Sequence, residues 1–246
     1  MKNKEIILNC IKEKDYISVV ELSEKTGASE STIRRALKEF ENKGLIKRTH
    51  GGAQIIDPNN SVFTFSLRIH QNIFEKKIIA LKAVKLIKEG DVIFLDGSTS
   101  TYFLAEYLDE FKNVTVITNG IDTLSLLAKK RVKAFSTGGM VSSENTSVLI
   151  GNSSIDFIKK IHANICFFSC QSLDKDGVIS DCYIEENYIR KAMIEQSQQT
   201  VLLCDSTKLD RQSAYYLCNA EKINYIITDK NLNDYLHDAN KYNVIF

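Results

Sequence analysis

Six short apolar runs, "DVIFLD", "VTVITN", "KAFSTG", "ICFFSC", "TVLLCD" and "INYIITD", recur from residue 91 onward, most of them separated by stretches with helical periodicity. A strand that is apolar on both faces must be covered on both faces, and strands alternating with helices are joined by crossovers. The pattern therefore predicts an α/β fold with a mainly parallel sheet. "EKKIIALKAVKLIKEG" reads as a helix ending at Gly90 ahead of the first of these strands, and the terminal "YNVIF" as a last edge strand.

The chain before Glu75 follows a different rule. Its only proline, Pro58, lies in the polar, turn-prone "IIDPNNSV", which marks a boundary. Residues 1–57 are expected to form a small domain, 58–72 a linker, and 73–246 a larger α/β domain. In the small domain Ile6, Ile7, Cys10 and Ile11 recur at helical spacing. Ser18 and Glu21 have the spacing of a capping box for a second helix, which stops at Gly27. A third helix is expected from Ser29 to Gly44, with Ile33, Ala36, Leu37 and Phe40 as its buried stripe. At about 100° per residue, Ser31, Arg34, Arg35 and Lys38 fall on the opposite face. "LIKRTHGGAQII" reads as two strands around Gly51 and Gly52.

Charge directs attention to that segment. The formal net charge is +1, so any nucleic-acid surface must be a local patch. Between Ser29 and Gly52, Arg34, Arg35, Lys38, Lys43, Lys47 and Arg48 face only Glu30, Glu39 and Glu41, an excess of three cations. Two helices around a tight turn, the second exposing cations and followed by a basic hairpin, form the pattern of a winged helix-turn-helix. An α-helix fits the major groove of double-stranded DNA, where Arg can pair with guanine and Lys can neutralise phosphates. The candidate DNA contacts are Ser29, Ser31, Thr32, Arg34, Arg35 and Lys38 on the helix, with Lys47, Arg48 and His50 on the hairpin.

In the larger domain "DGSTST" opens a helix directly after a strand. Free backbone N–H groups, the helix dipole and several hydroxyls suit such a loop to an anion, although Ser and Thr at a helix start also serve as plain caps. "TNG", "TGG" and "DSTK" follow other strands, and a parallel sheet gathers such ends on one edge, where ligands bind. The candidate effector residues are Asp96, Gly97, Ser98, Thr99, Ser100, Asn119, Gly138, Gly139, Asp205 and Lys208.

"STIRRALKEFENKGLIKRTHGGA" resembles the helix-turn-helix and wing of the DeoR family of bacterial transcriptional regulators, with Ala36 where the family carries an acidic residue. "EKKIIA", "DGSTST", "VITNG", "EENYIRKAMIE", "DSTK" and "IITD" resemble that family's C-terminal sensor domain, related in fold to ribose-5-phosphate isomerase. The resemblance implies that Ser98, Thr99 and Ser100 hold the phosphate of a phosphorylated sugar or related metabolite. It further implies that Lys208 supplies a cation and that Asp96 and Asp205 line the pocket. Asn164, Ser169 and Ser172 depart from the family pattern. The implied function is sequence-specific regulation of transcription, as a repressor of a carbohydrate operon relieved by that metabolite.

The alternative is a sugar-phosphate isomerase fused to a DNA-binding domain, for which Asp174, Asp176 or Glu186 can be drafted as general base. A third class is an interaction module without a small-molecule ligand. Because an attached DNA reader makes ligand binding functional by itself, the sensor is the favoured reading and no enzymatic activity is expected. The six scattered cysteines lack metal-ligand spacing, and His70, His162 and His237 are isolated. No metal site or cofactor is expected. The first residues are too charged for a signal peptide and no apolar run spans a bilayer, which places the chain in the cytoplasm. A homo-oligomer, dimer or tetramer, is expected, since a dimer spans two half-sites.

Overall fold

The computed structural model describes residues 2–12, 14, 16–42, 46–49, 51–55, 65–233 and 235–246. Lys43, Gly44, His50 and Pro58 lie outside the described residues. The chain divides into two compact units, Met1–Ile73 and Phe74–Phe246.

The first unit contains α1 (Lys2–Lys12), β1 (Ile17–Ser18), α2 (Val19–Thr26), α3 (Glu30–Asn42), β2 (Ile46–Arg48), β3 (Gly52–Ile55) and α4 (Phe65–Arg68). Ser18 caps α2 by accepting a hydrogen bond from Glu21 N at 3.0 Å, while the Glu21 carboxylate pairs with Lys14 instead of completing the box. Gly27 ends α2 in the left-handed region, with φ 67°, where a residue without Cβ meets no steric opposition. The predicted stripe of α3 is buried and packs with Ile7, Ile11, Ile17, Leu22, Ile46 and Ala53. β2 and β3 form the expected hairpin, and β1 extends it to the sheet order β1-β3-β2. A Cβ on Gly52 would fall 2.2 Å from the Ile17 carbonyl, so the second glycine of the pair is required by packing.

In the second unit α5 (Ile73–Ala83) passes into a 3-10 turn, Val84–Leu86. The helix thus stops well before Gly90. Ile87 drops into the core, Lys88 N donates to the Asp91 carboxylate at 2.8 Å, and Gly90 makes a left-handed turn instead of a helix end. There follow β4 (Val92–Leu95), α6 (Thr99–Ala105), β5 (Thr115–Thr118), α7 (Ile121–Lys129), β6 (Lys133–Ser136), β7 (Met140–Val141), β8 (Leu149–Ile150) and α8 (Asn152–Ile158). The remainder comprises β9 (Ala163–Phe168), β10 (Ser172–Leu173), β11 (Val178–Asp181), α9 (Ile184–Glu195), β12 (Ser197–Leu203), β13 (Tyr215–Asn219), β14 (Tyr225–Ile227) and β15 (Val244–Ile245).

The main sheet is seven-stranded, in the order β15-β14-β12-β9-β4-β5-β6, and every pairing in it is parallel. The six apolar runs supply six of these strands and "YNVIF" supplies the edge strand β15. Ile93, Phe94 and Leu95 point alternately to the two faces, and all three are completely buried, so both faces are covered. The antiparallel β10-β11-β13 sheet and the β7-β8 hairpin are additions that alternation alone did not predict. No helix among the described residues is long and apolar enough to cross a membrane.

The strand order positions the ligand edge. From β4 the chain builds outward through β5 to β6, then returns to β9 on the other side of β4 and builds the opposite way. The carboxyl ends of β4 and β9 therefore flank the point where the order reverses, the usual place for a ligand crevice in an open α/β sheet.

Candidate functional site

The candidate reading surface of the first unit follows from the stripe of α3. Because Ile33, Ala36, Leu37 and Phe40 are buried, Ser31, Thr32, Arg34, Arg35 and Lys38 are turned outward and exposed. Ser29 receives the Thr32 N–H at 3.4 Å and lies 3.0 Å from the hydroxyls of Ser31 and Thr32, so these three side chains organise the start of the helix. Arg34 pairs with Glu30 one turn back at 3.1 Å, both side chains being half exposed. No ion pair is formed by Arg35 or Lys38 among the described residues. Ala36, at the departure from the family pattern, is only 3% exposed and belongs to the core stripe. On the hairpin, Lys47 is exposed and partial burial lowers its ammonium pKa. Arg48 is tied to Glu41 of α3 at 3.7 Å, which anchors the hairpin to the helix.

At the reversal point of the large sheet, Asp96 follows β4 and is 1% exposed. Its Oδ1 accepts the Ser98 N–H at 3.2 Å, while Oδ2 accepts Ser169 N at 3.2 Å and Arg190 Nε at 2.8 Å. Ser98 caps α6 by accepting from Thr101 N at 3.3 Å, and the Thr101 hydroxyl donates to the Asp96 carbonyl at 2.7 Å. These two hydroxyls shape the loop. Ser100 and Ser169 connect it to the neighbouring strands: their hydroxyls are 3.4 Å apart, Ser169 donates to the Leu203 carbonyl at 2.6 Å, and Lys208 Nζ donates to Ser169 Oγ at 2.8 Å. Lys208 also lies 3.6 Å from Asp205. Burial works to raise the Asp205 pKa, but Lys208, the Thr207 hydroxyl and Lys76 hold it below its ordinary value.

The remaining predicted residues are placed less uniformly. Thr99 is buried in the first turn of α6. Gly97 is packed against the 147–149 segment: a Cβ there would fall 2.3 Å from Val148 Cγ1. Asn119 donates to the Leu149 carbonyl at 3.1 Å, and its buried Oδ1 has no hydrogen-bond partner among the described residues. Gly138 and Gly139 turn the chain out of β6 with φ of 68° and 101°. The Gly139 position is closed by the Ser154 hydroxyl and the Ile150 carbonyl. Asp96, Ser98, Ser100, Asp205 and Lys208 are thus linked to Ser169 directly or through one another, whereas Gly139 packs against Ser154 and Ile150 and Gly138 is exposed, with open space where a Cβ would lie.

Sequence reasoning missed the residue that holds this edge. Arg190 is 3% exposed and bonds Asp96, Asp181 at 3.1 Å, Glu186 at 2.9 Å and the Asn187 side-chain oxygen Oδ1 at 3.3 Å. The other Glu186 oxygen accepts from Asn145 at 2.9 Å. Burial pulls the guanidinium pKa down, yet Asp181, Asp96 and Glu186 together hold it above its ordinary value. The available signal was the spacing of Glu186, Ile189, Arg190 and Met193, which places two charges on a stripe that is otherwise apolar. Buried charges persist only when paired.

Two of the departures from the family pattern also acquire roles. Asn164 Oδ1 accepts Val92 N at 2.9 Å and ties β9 to β4, and Ser172 bonds Ser213 at 2.6 Å. The carboxylates considered as general bases are occupied. Asp174 closes the β10–β11 turn through Asp176 N and Val178 N, exposed Asp176 pairs with His237 at 3.0 Å, and Glu186 is locked between Arg190 and Asn145. Burial pushes the Cys166 thiol well above its ordinary pKa, which fits its reading as a small hydrophobe. Among the described residues, no group of three or more His, Cys, Asp or Glu is arranged to hold a metal ion.

Comparison with known proteins agrees with both units. Residues 4–59 match the DeoR-like helix-turn-helix domain and residues 71–230 the DeoR C terminal sensor domain. The L-fucose operon activator of Haemophilus influenzae is 35% identical over 94% of this chain and 93% of its own length. The lactose phosphotransferase system repressor of Staphylococcus epidermidis is 30% identical over 92% and 90%. A solved structure of ribose 5-phosphate isomerase A from Methanocaldococcus jannaschii aligns with TM-score 0.42 and 19% identity, over 56% of this chain and 55% of that one. With a DNA-reading unit and a sensor unit both matched, the chain belongs to the DeoR family of DNA-binding transcriptional regulators.

Proposed function

We propose that this regulator is a repressor of a carbohydrate operon, released from its operator by a phosphorylated sugar or related metabolite. In this reading residues 1–57 read DNA through Ser29, Ser31, Thr32, Arg34, Arg35, Lys38, Lys47 and Arg48, with His50 on the wing. Residues 58–72 join them to a sensor formed by 73–246. The chain works in the cytoplasm as a homo-oligomer whose two readers span two half-sites. The named relatives act on sugar systems, one as repressor and one as activator. Deleting the gene and measuring transcripts of the adjacent carbohydrate genes decides the sign: a rise supports repression, a fall reverses it.

The observation that carries the sensor reading is the Asp96–Ser169–Lys208 network at the reversal point of the sheet. It offers a cation and hydroxyls to a phosphate, while Asp174, Asp176 and Glu186 are all engaged elsewhere. That arrangement supports binding over catalysis. A ligand favouring one conformation then shifts DNA affinity by its differential binding free energy. In a thermal-shift screen of phosphorylated sugars beside their unphosphorylated counterparts, a ligand at about 100 times its Kd adds about 2.7 kcal/mol. The expected outcome is a phosphate-dependent hit that disappears in Lys208→Ala and is recovered chemically unchanged. An isomerised product overturns the sensor reading, and a hit undiminished in Lys208→Ala overturns the site.

A further inference from the structure

We propose a second anion site, at the opposite edge of the sheet from the sensor network, that takes a small molecule bearing two or more linked phosphates. A cleft of about 270 Å³ lies at the amino-terminal ends of β5 and β6, with Lys112, Lys130, Arg131 and Lys133 along it, Asp109 as the one carboxylate among its lining residues and Glu89 beside it. Asp109 is already consumed: both its oxygens accept from Lys130 Nζ at 2.9 Å. Lys112, Arg131 and Lys133 are exposed and form no ion pair among the described residues. Lys112 and Arg131 thus bring two uncompensated cations to a concave polar cleft, and Lys133 lines its edge with its ammonium 5.9 Å from the Phe135 ring centre. Its volume lies just below the range for small-molecule pockets, which suits a compact polyanion.

The backbone supplies an independent argument. At the end of α7, Arg131 N donates to the Ala128 carbonyl at 3.1 Å and Val132 N to the Leu127 carbonyl at 3.0 Å. This is the Schellman pattern, whose left-handed position is ordinarily glycine. Here it is Arg131, with φ 59°. The other non-glycine residues with positive φ among the described residues are Asn72, Asp210 and Asp238, types that tolerate this region. The chain uses Gly27 for the same task after α2. An arginine kept where its own backbone is disfavoured points to a use for its side chain, and a guanidinium lining a cleft suits bidentate binding of phosphate oxygens. The cleft is also held open in one shape, because Glu89 accepts the backbone N–H groups of Lys112 and Asn113 at 3.0 and 3.3 Å.

The test uses the full chain with inorganic tripolyphosphate as probe and sodium sulfate at matched ionic strength as control, read by calorimetry and thermal shift. Tripolyphosphate is expected to bind and raise Tm where sulfate does not. Arg131→Gly should raise Tm without probe, by relieving the backbone, and yet weaken probe binding about tenfold or more. Lys112→Ala should weaken binding without that gain in Tm. Lys85→Ala, at an exposed lysine outside the cleft, should bind the probe as the unaltered chain does, and dependence on Arg131 separates this site from the sensor. The proposal is overturned by equal effects of sulfate and probe, by no probe effect at all, by undiminished binding in Arg131→Gly, or by an equal loss of binding in Lys85→Ala.

Discussion

The arginines of the two units do opposite work. On α3, Arg34 and Arg35 stand on the exposed face, and their one ion-pair partner among the described residues, Glu30, is a half-exposed helical neighbour. Such a pair is worth only about 0.3–0.5 kcal/mol, so the cation is free to exchange water and Glu30 for a DNA phosphate. In the sensor, Arg190 is 3% exposed and committed to three carboxylates. It cannot be recruited by a ligand without uncovering buried charge. Exposure, not residue type, separates an arginine available for recognition from one that holds a site in shape.

The sharpest way to break this comparison is Arg190→Ala. It leaves Asp96, Asp181 and Glu186 buried without their shared cation, and the expected loss is about 3–5 kcal/mol in denaturant unfolding of the full chain. A loss below about 1 kcal/mol would mean that the carboxylates re-solvate freely and that Arg190 is no anchor. By contrast, Arg34→Ala with Arg35→Ala should leave unfolding within about 0.5 kcal/mol of the parent. It should nevertheless abolish tight operator binding and flatten the salt dependence by about one unit of slope for each phosphate contact removed. A gel-shift titration across salt concentrations reads both quantities, and unchanged affinity would remove α3 from the DNA surface.

The smallest expected effect sharpens the comparison within the sensor. Asp205 has its folded pKa held below the ordinary carboxylate value, so its contribution to stability is present above the unfolded pKa of about 3.9. That contribution is lost as pH falls through the lower folded value. Lys208 is the largest of the neighbours that lower it, so Lys208→Ala should move the acid limb of the stability curve to higher pH. Coincident acid limbs for the two proteins would show that Lys208 does not set the Asp205 charge.

Much of the architecture was legible because its signals are local and periodic. Ser18 and Gly27 delimit α2 as their spacing and conformational freedom require. The i, i+3, i+4, i+7 stripe told which face of α3 is exposed, and apolar runs announced the parallel strands. Where the reading failed, a short-range signal was overridden by a distant contact. Helix α5 ends before Gly90 because Ile87 is drawn into the core. Contacts the sequence did not announce also occupy the loop: Val148 rests on Gly97, and Ser98, a candidate effector residue, also caps α6 beside Thr101. Ser169, seen only as a departure from a family pattern, sits at the centre of the network.

By itself, then, the sequence determined the two kinds of unit, the order of the strands along the chain, the exposed basic face and the strand ends that meet at the carboxyl edge. Each depends on periodicity, chirality or turn chemistry within a few residues. Tertiary structure alone decided that Asp96 meets Arg190, a partner 94 positions away. It alone decided that Asn145 secures Glu186, and that Arg131, Lys112 and Lys133 share one cleft. Pairings of this kind have no local signature. They arise where strand order and helix packing bring distant charges into a low-dielectric interior or a shared concavity, and there each charge must find a partner or remain available for one.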